Sequence, residues 1–582
     1  MSETAGLEKY TEKCKVQDYV IFATIFMARL FSAFYNIIPD ADDTFNFWEP
    51  THYLAFDFGL QTWEYSAEYG LRSYTILVPF ACFAKVMYWV LGGNKAAVFY
   101  AIRCLLAFLC SLGETLFIAG VRRFFGHATS TLLYLFLLFS SGMFIASTSF
   151  VNSSLAMIFI FTSYGLWMRF DNHFLGLLLG AMSVIYAWPF AGIAFIPMGM
   201  DCLYRRGWLR TLSYFFCIVF VVLGLDLAVN YHFTHRIGIP AVNIVLYNVL
   251  GIGGGPELYG VEPWWFYIRN GLLNNSAVFL LFLLLPFCAV LPSQLPITKL
   301  QLGLVLHSGY LLLGIFVAQP HKEERFLYIV YPFLYLAAAA CLTIITLWLR
   351  SLLRVRNTHV FGGVCFAAVL APFALVSAAR VACVVHGFSA PLSLYNRLSR
   401  VELSGTAGEV NVCVGKEWYR FGSSFFLPSA SARVRFVKSG FDGLLPQPFM
   451  PGNGTWTIPE HMNAMNEEET SRYVDEEECD FLIEQRLEEQ VERDYLEDAR
   501  FRVVEMVPFL DLKRTEFPYR SFYVPLEAFE KHLKYNPYYL ARRVGAKKEE
   551  EKGAEICLEE DQCVLESSDE YLEEETKEET EL

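Results

Sequence analysis

The chain has 582 residues, of which 54% are hydrophobic and 18% charged, and its mean hydropathy is +0.35. That is too apolar for a water-soluble protein of several domains. The net charge of −14 is concentrated at the end, because residues 549–582 hold sixteen acids and two lysines. The rest of the chain is therefore neutral and offers no basic face to a nucleic-acid backbone. The fourteen cysteines form no CxxC pair and no Cys/His cluster at zinc spacing, so no metal is expected, and most read as small hydrophobes in lipid.

A helix needs about 20 mostly apolar residues to cross a bilayer core of about 30 Å. Such runs recur at 19–38, 96–120, 130–146, 155–168, 174–187, 188–203, 212–231, 273–295, 300–318, 326–349 and 361–381, which is about eleven. The first follows a polar start and is followed by no small-residue cleavage site, so it reads as an anchor. The run 74–91, interrupted by Pro79 and Lys85, is taken to lie along the membrane surface. Arg122, Arg123, Arg169, Arg205, Arg206, Arg210, Arg350, Arg354 and Arg356 then share one side, which the positive-inside rule makes cytosolic. Residues 1–18 form a cytosolic N-terminus, 19–383 a transmembrane module, and 39–95, 232–272 and 319–325 its loops on the opposite side. From residue 384 the pattern changes to period-2 stretches such as 410–414, 433–437 and 521–524, which predicts an α+β domain over 384–546. The Glu-rich tail 547–582 is too polar to fold.

Three polar motifs fall on the non-cytosolic side. The first is PDADDTFNFWEP, residues 39–50, where Asp40, Asp42 and Asp43 crowd three carboxylates into four positions. Repulsion and burial would raise at least one pKa toward that of a general base, and Phe45, Phe47, Trp48, Trp63 and Tyr65 add aromatic faces that suit a sugar. A plain solvated loop is the alternative. The second is QPHKEERF, residues 319–326, with five titratable groups between two apolar runs, a costly placement that defaults to function. Lys322 and Arg325 could hold a phosphate beside His321. The third, GGGPELYGVEPWW at 253–265, suits a loop that shapes a substrate better than a P-loop. Arg29, Arg103 and Glu114 lie inside spans and are expected to pair or to line a lipid-phosphate groove.

The strings DADDTFNFWEPTHYL, QTWEYSAEYGLRSY, NIVLYNV, GPELYGVEPWWFY, QPHKEERFLYIVYP and VNVCVGKEWYRFGSSFFLP resemble the endoplasmic-reticulum α-1,2-mannosyltransferases of the ninth asparagine-linked-glycosylation type, in the GT-C superfamily. The similarity runs from about Tyr19 to Tyr523. The resemblance implies an α-helical polytopic membrane protein with a lumenal C-terminal domain, in the endoplasmic-reticulum membrane. It implies transfer of mannose from dolichyl-phosphate mannose to dolichyl-pyrophosphate oligosaccharides of six and eight mannoses, with inversion and without metal or other cofactor. Carried over residue by residue, the acidic pair is Asp42 as base with Asp43 as partner, where the family commonly has Asp-Glu. His321, Lys322 and Arg325 would hold the donor phosphate. Trp48, Glu49, Glu64, Arg72, Tyr259 and Glu262 are the candidates for contacting the acceptor. Asn453 begins an N-x-T glycosylation acceptor.

Other readings are a transferase making an α-1,6 linkage or acting on a glycolipid-anchor precursor and, more remotely, a transporter. A transporter should show internal repeats and broken midplane spans, and a membrane receptor would leave the charges between the spans unexplained.

Overall fold

The computed structural model describes residues 2–291, 299–404, 408–450, 454–488 and 493–545. The tail and Asn453 lie outside the described residues.

Six helices are long and apolar enough to cross a membrane among the described residues. They are Val16–Tyr35, Lys95–Phe139, Trp208–Thr234, Phe266–Cys288, Glu324–Leu352 and His359–Phe388, the pattern of a multi-pass membrane protein. Of the other apolar runs, 155–168 and 300–318 lie in the helices Asn152–Phe170 and Lys299–Ala318, and two more are broken. The run 174–187 is a ten-residue α-helix, His173–Met182, continued by a π turn, and 188–203 is a 3₁₀ segment, Pro189–Phe195, before the helix Ile196–Arg206. Pro189 and Pro197 lack the N–H that would continue a helical ladder through them. The runs 96–120 and 130–146 differ from expectation in another way. One 45-residue helical stretch, Lys95–Phe139, covers most of both and breaks at Gly126, whose φ of 86° costs glycine little. The run 74–91 contains the helix Leu77–Val90.

Small residues let the helices approach. A Cβ on Gly165 would lie 2.6 Å from that of Leu116, joining Asn152–Phe170 tightly to Lys95–Phe139. Inside the bundle, Arg29 and Glu114 pair at 2.6 Å with both side chains almost wholly buried, and Arg29 also donates to the Leu137 carbonyl. Arg103 instead donates to the Ser32 carbonyl. At one end Asp18 joins Arg122 to Arg169 while Asp171 holds Arg205 and Arg206. The centre of the bundle is Tyr331–Leu352, with Leu334 to Cys341 fully buried, whereas Trp208–Thr234 and His359–Phe388 are mostly exposed and apolar, as lipid-facing helices must be.

The strands are β1 (Leu60–Gln61), β2 (Val410–Val414), β3 (Ala432–Phe436), β4 (Gln447–Pro448), β5 (Phe481–Gln485), β6 (Phe501–Leu510) and β7 (Tyr535–Arg543). Five of them make one mixed sheet in the order β3-β2-β5-β7-β6, with β2 parallel to both of its neighbours and β7 antiparallel to both of its own. A disulfide joins Cys413 on β2 to Cys479 just before β5. Residues 521–524, read from the sequence as strand-like, belong to no strand. Their segment leaves the sheet to meet the membrane helices, where the Tyr523 N–H donates to the Ala379 carbonyl and its ring stacks on His386.

β1 pairs with β4, which ties the segment after the first helix to the C-terminal region. Tyr53 stacks on Phe449 at 3.9 Å, and the Thr44 hydroxyl donates to the Phe421 carbonyl.

Candidate functional site

The acidic motif is helical rather than an open loop. Asp40, in extended conformation, accepts the Asp42 N–H and caps Ala41–Asp43, which runs through a π turn, Thr44–Trp48, into the helix Glu49–Phe56. Successive residues of a helix point in different directions, so neighbouring carboxylates separate. Asp42 faces a cavity of about 530 Å³. Asp43 turns inward, is 1% exposed, and its Oδ1 has no hydrogen-bond partner among the described residues.

Around Asp42 the charges alternate. Its Oδ2 lies 2.7 Å from Arg325 Nη1 and 3.4 Å from Arg72 Nη2. Arg72 Nε meets Glu64 at 2.8 Å, and Asn46 donates to the same carboxylate oxygen at 2.7 Å while accepting from Thr62. Beyond Arg325 stand Asp40 at 3.4 Å and Glu323, which also meets His321 Nε2 at 3.0 Å. Four carboxylates thus surround two guanidiniums and one imidazole.

The imbalance separates the acids. Burial would raise Asp42, but the charges of Arg325 and Arg72 outweigh it and hold that carboxyl below its usual range. Asp40 is pushed up to about 6, first by burial and then, against the pull of Arg325, by Glu323 and Asp42. Burial drives Asp43 well above the usual range, helped by Asp40. For His321 burial acts downward, yet the contact with Glu323 wins and the imidazole is raised.

Aromatic faces complete the cavity. Trp63, Trp188, Phe190, Tyr247, Tyr259 and Phe316 come from the helical part, and Trp418 and Phe441 from the C-terminal region, joined there by Leu444 and Asn466. Its size falls in the range of about 300–1,000 Å³ usual for ligand sites. Rings beside carboxylates and amides can stack on sugar C–H faces and accept from hydroxyls.

Of the site residues expected from the sequence, Asp42, Glu64, Arg72, Tyr259, His321 and Arg325 all line this cavity. The others sit elsewhere. Trp48 is core, with its ring centre 4.2 Å from that of Phe99. Glu49 is fully buried and accepts from the Leu60 and Ser424 N–H groups and the Ser423 and Ser424 hydroxyls, so it fastens the helix to the C-terminal region. Burial raises its pKa against those bonds. Lys322 spends its ammonium on the carbonyls of Glu262, at 2.8 Å, and Gln319. Glu262 contributes that carbonyl while its own side chain is exposed. Asp40 and Asn46 flank Asp42 and Glu323 stands across Arg325 from it, with no distinguishing signal beyond their motifs, and Trp418 lies within the quoted string VNVCVGKEWYRF.

The model of the Alg9-like mannosyltransferase family matches residues 20–428. Over 524 residues the chain is 37% identical to "Alpha-1,2-mannosyltransferase ALG9" of Mus musculus, covering 87% of this chain and 85% of that protein. Over 534 residues it is 37% identical to "Alpha-1,2-mannosyltransferase alg9" of Schizosaccharomyces pombe, covering 87% and 92%. Among solved structures, ArnT from Cupriavidus metallidurans bound to undecaprenyl phosphate aligns with a TM-score of 0.45 at 11% identity, over 74% of this chain and 86% of that one. With its acid-and-aromatic cavity at the heart of the matched region, this chain belongs to the Alg9-like mannosyltransferase family and is a mannosyltransferase.

Proposed function

We propose that the enzyme transfers mannose from dolichyl-phosphate mannose, in α-1,2 linkage, to the dolichyl-pyrophosphate oligosaccharide that is the precursor of N-glycans. The carrying observation is Asp42, a carboxylate kept ionised by Arg325 and Arg72 at the edge of a cavity walled by aromatic rings. An ionised acid there can take the proton of an acceptor hydroxyl as that oxygen attacks the anomeric carbon in one inverting displacement. Arg72 and Glu64 hold one another and orient the acceptor; Trp63, Tyr259 and Trp418 supply stacking faces. Asp40, with its pKa near 6, is the stronger base and the second candidate.

The relatives' names support the linkage. The Cys413–Cys479 disulfide supports an oxidising compartment for the sheet, hence the lumen of the endoplasmic reticulum, with the Asp18 and Asp171 ion-pair clusters on the cytosolic side. The test is transfer by purified enzyme to acceptors of six and eight mannoses, followed by linkage-specific mannosidase digestion. Product resistant to an α-1,2-mannosidase would replace this reading by an α-1,6 linkage, and transfer to a glycolipid-anchor precursor alone would replace the acceptor.

A further inference from the structure

Asp40 and Arg325 form a wall with a second face. Behind it, between the helix Thr358–Phe388 and residues 512–521, lies another cavity of about 440 Å³. Its charged lining is Arg325, Arg380 and Arg520 against Asp40 and Glu324.

The three arginines differ in what they face. Arg325 already meets Asp40, Asp42 and Glu323. Arg380 meets neutral acceptors, with Nε on Asn274 Oδ1 at 3.1 Å and Nη1 on the Ser521 carbonyl at 3.3 Å. Arg520 reaches the Leu512 carbonyl at 3.5 Å and is otherwise exposed. Glu324 is held across Asn274, whose amide donates to it at 2.6 Å, and so offsets one of these two charges in part. Two guanidiniums whose acceptors here are neutral, one of them inside a helix apolar enough to cross a membrane, suit an anion at the membrane face.

The adjoining face of the same helix is apolar. Ala378, Val381, Ala382 and Val385 line a groove of about 860 Å³ against Phe31 and Phe144. Ser521 borders the cavity and Tyr523 the groove, so one short loop separates them.

We propose that Arg380 and Arg520 bind the phosphate of a polyprenyl-phosphate sugar whose hydrocarbon chain lies along the apolar groove. This rests on the function proposed above and deepens it by moving the donor phosphate from the Lys322 side to the far side of Asp40 and Arg325. In an inverting displacement the nucleophile and the leaving group stand on opposite sides of the carbon. Two cavities that share one wall provide those two sides. The acceptor oxygen bonds to the anomeric carbon, the bond from that carbon to the phosphate oxygen breaks with its electron pair, and the hydroxyl proton passes to Asp42. The products are the extended glycan and polyprenyl phosphate, whose added negative charge Arg380 and Arg520 receive.

The experiment measures binding of dolichyl phosphate, which carries no sugar, to the full chain in nanodiscs. Donor and acceptor KM are measured on the same preparations. Arg520→Gln, at an exposed position, and Arg380→Gln should each weaken dolichyl-phosphate binding and raise donor KM by about tenfold, with acceptor KM unchanged. Arg520→Lys should recover part of the loss. If Arg380→Gln does not fold, Arg520→Gln decides alone. Unaltered dolichyl-phosphate affinity in Arg520→Gln, or a defect confined to the acceptor, overturns the proposal. Inorganic phosphate that competes as well as the lipid overturns it in favour of a simple anion site. Because the probe has no sugar, an error in the linkage or the acceptor would leave this result standing.

Discussion

The two cavities that meet at Asp40 and Arg325 are built from opposite materials. On one side carboxylates outnumber cations and aromatic rings make the walls; on the other, two arginines face neutral acceptors beside an apolar groove. On the function proposed above, the glycan of the acceptor belongs to the first side and the donor phosphate to the second. Sugar hydroxyls would find hydrogen-bond acceptors and ring faces on the first side.

The contrast between the cavities depends most on Asp42, and Asp42→Asn tests it. The amide keeps the shape but accepts no proton, so kcat should fall by about 10²–10⁴-fold with the protein still folded. Turnover within a few-fold of wild type transfers the role to Asp40.

Glu49→Ala should separate structure from chemistry. Four donors, from Leu60, Ser423 and Ser424, would lose a buried carboxylate, at a stability cost on the order of 2–4 kcal/mol, with acceptor KM preserved in the folded fraction. Thermal unfolding and kinetics on the same sample check it; lost activity at full stability would return Glu49 to the site.

Trp418→Ala tests whether the C-terminal region belongs to the acceptor side. Removing this wall should raise acceptor KM by about tenfold and leave donor KM alone, since aromatic contacts of this kind are worth about 0.5–1.5 kcal/mol beyond their buried area. A donor-only effect would merge the two cavities' roles.

The smallest effect expected is that of pH. A base works only when deprotonated, so its activity is lost as pH falls through its pKa. With Asp42 held below the usual range, kcat/KM should stay nearly flat from neutral pH down past 6, whereas a decline setting in near 6 would point to Asp40, whose pKa is raised to about 6.

The membrane character, the acidic and HKEER motifs and the family were legible in the sequence, because bilayer-length apolar runs and charged clusters beside them are local properties. Strands β2 and β3 were legible for the same reason, although only β3 alternates buried with less buried positions, while β2 is buried along most of its length. The direction of each side chain was not. Asp42 and Asp43 are adjacent and identical, yet the helical turn capped by Asp40 sends one to the cavity and the other inward. Glu49 was expected at the site from the resemblance and Lys322 from the cost of charge beside hydrocarbon, but tertiary structure occupies the first with Ser423 and Ser424 and the second with backbone carbonyls. Trp418 is more than 350 residues from Asp42 in the chain, and only the pairing of β1 with β4 and the contacts around it bring the C-terminal region to the first cavity. Periodicity and composition are written residue by residue, so the kind of protein is legible locally; which carboxylate faces which arginine depends on contacts between segments far apart in the chain, and those exist only once it has folded.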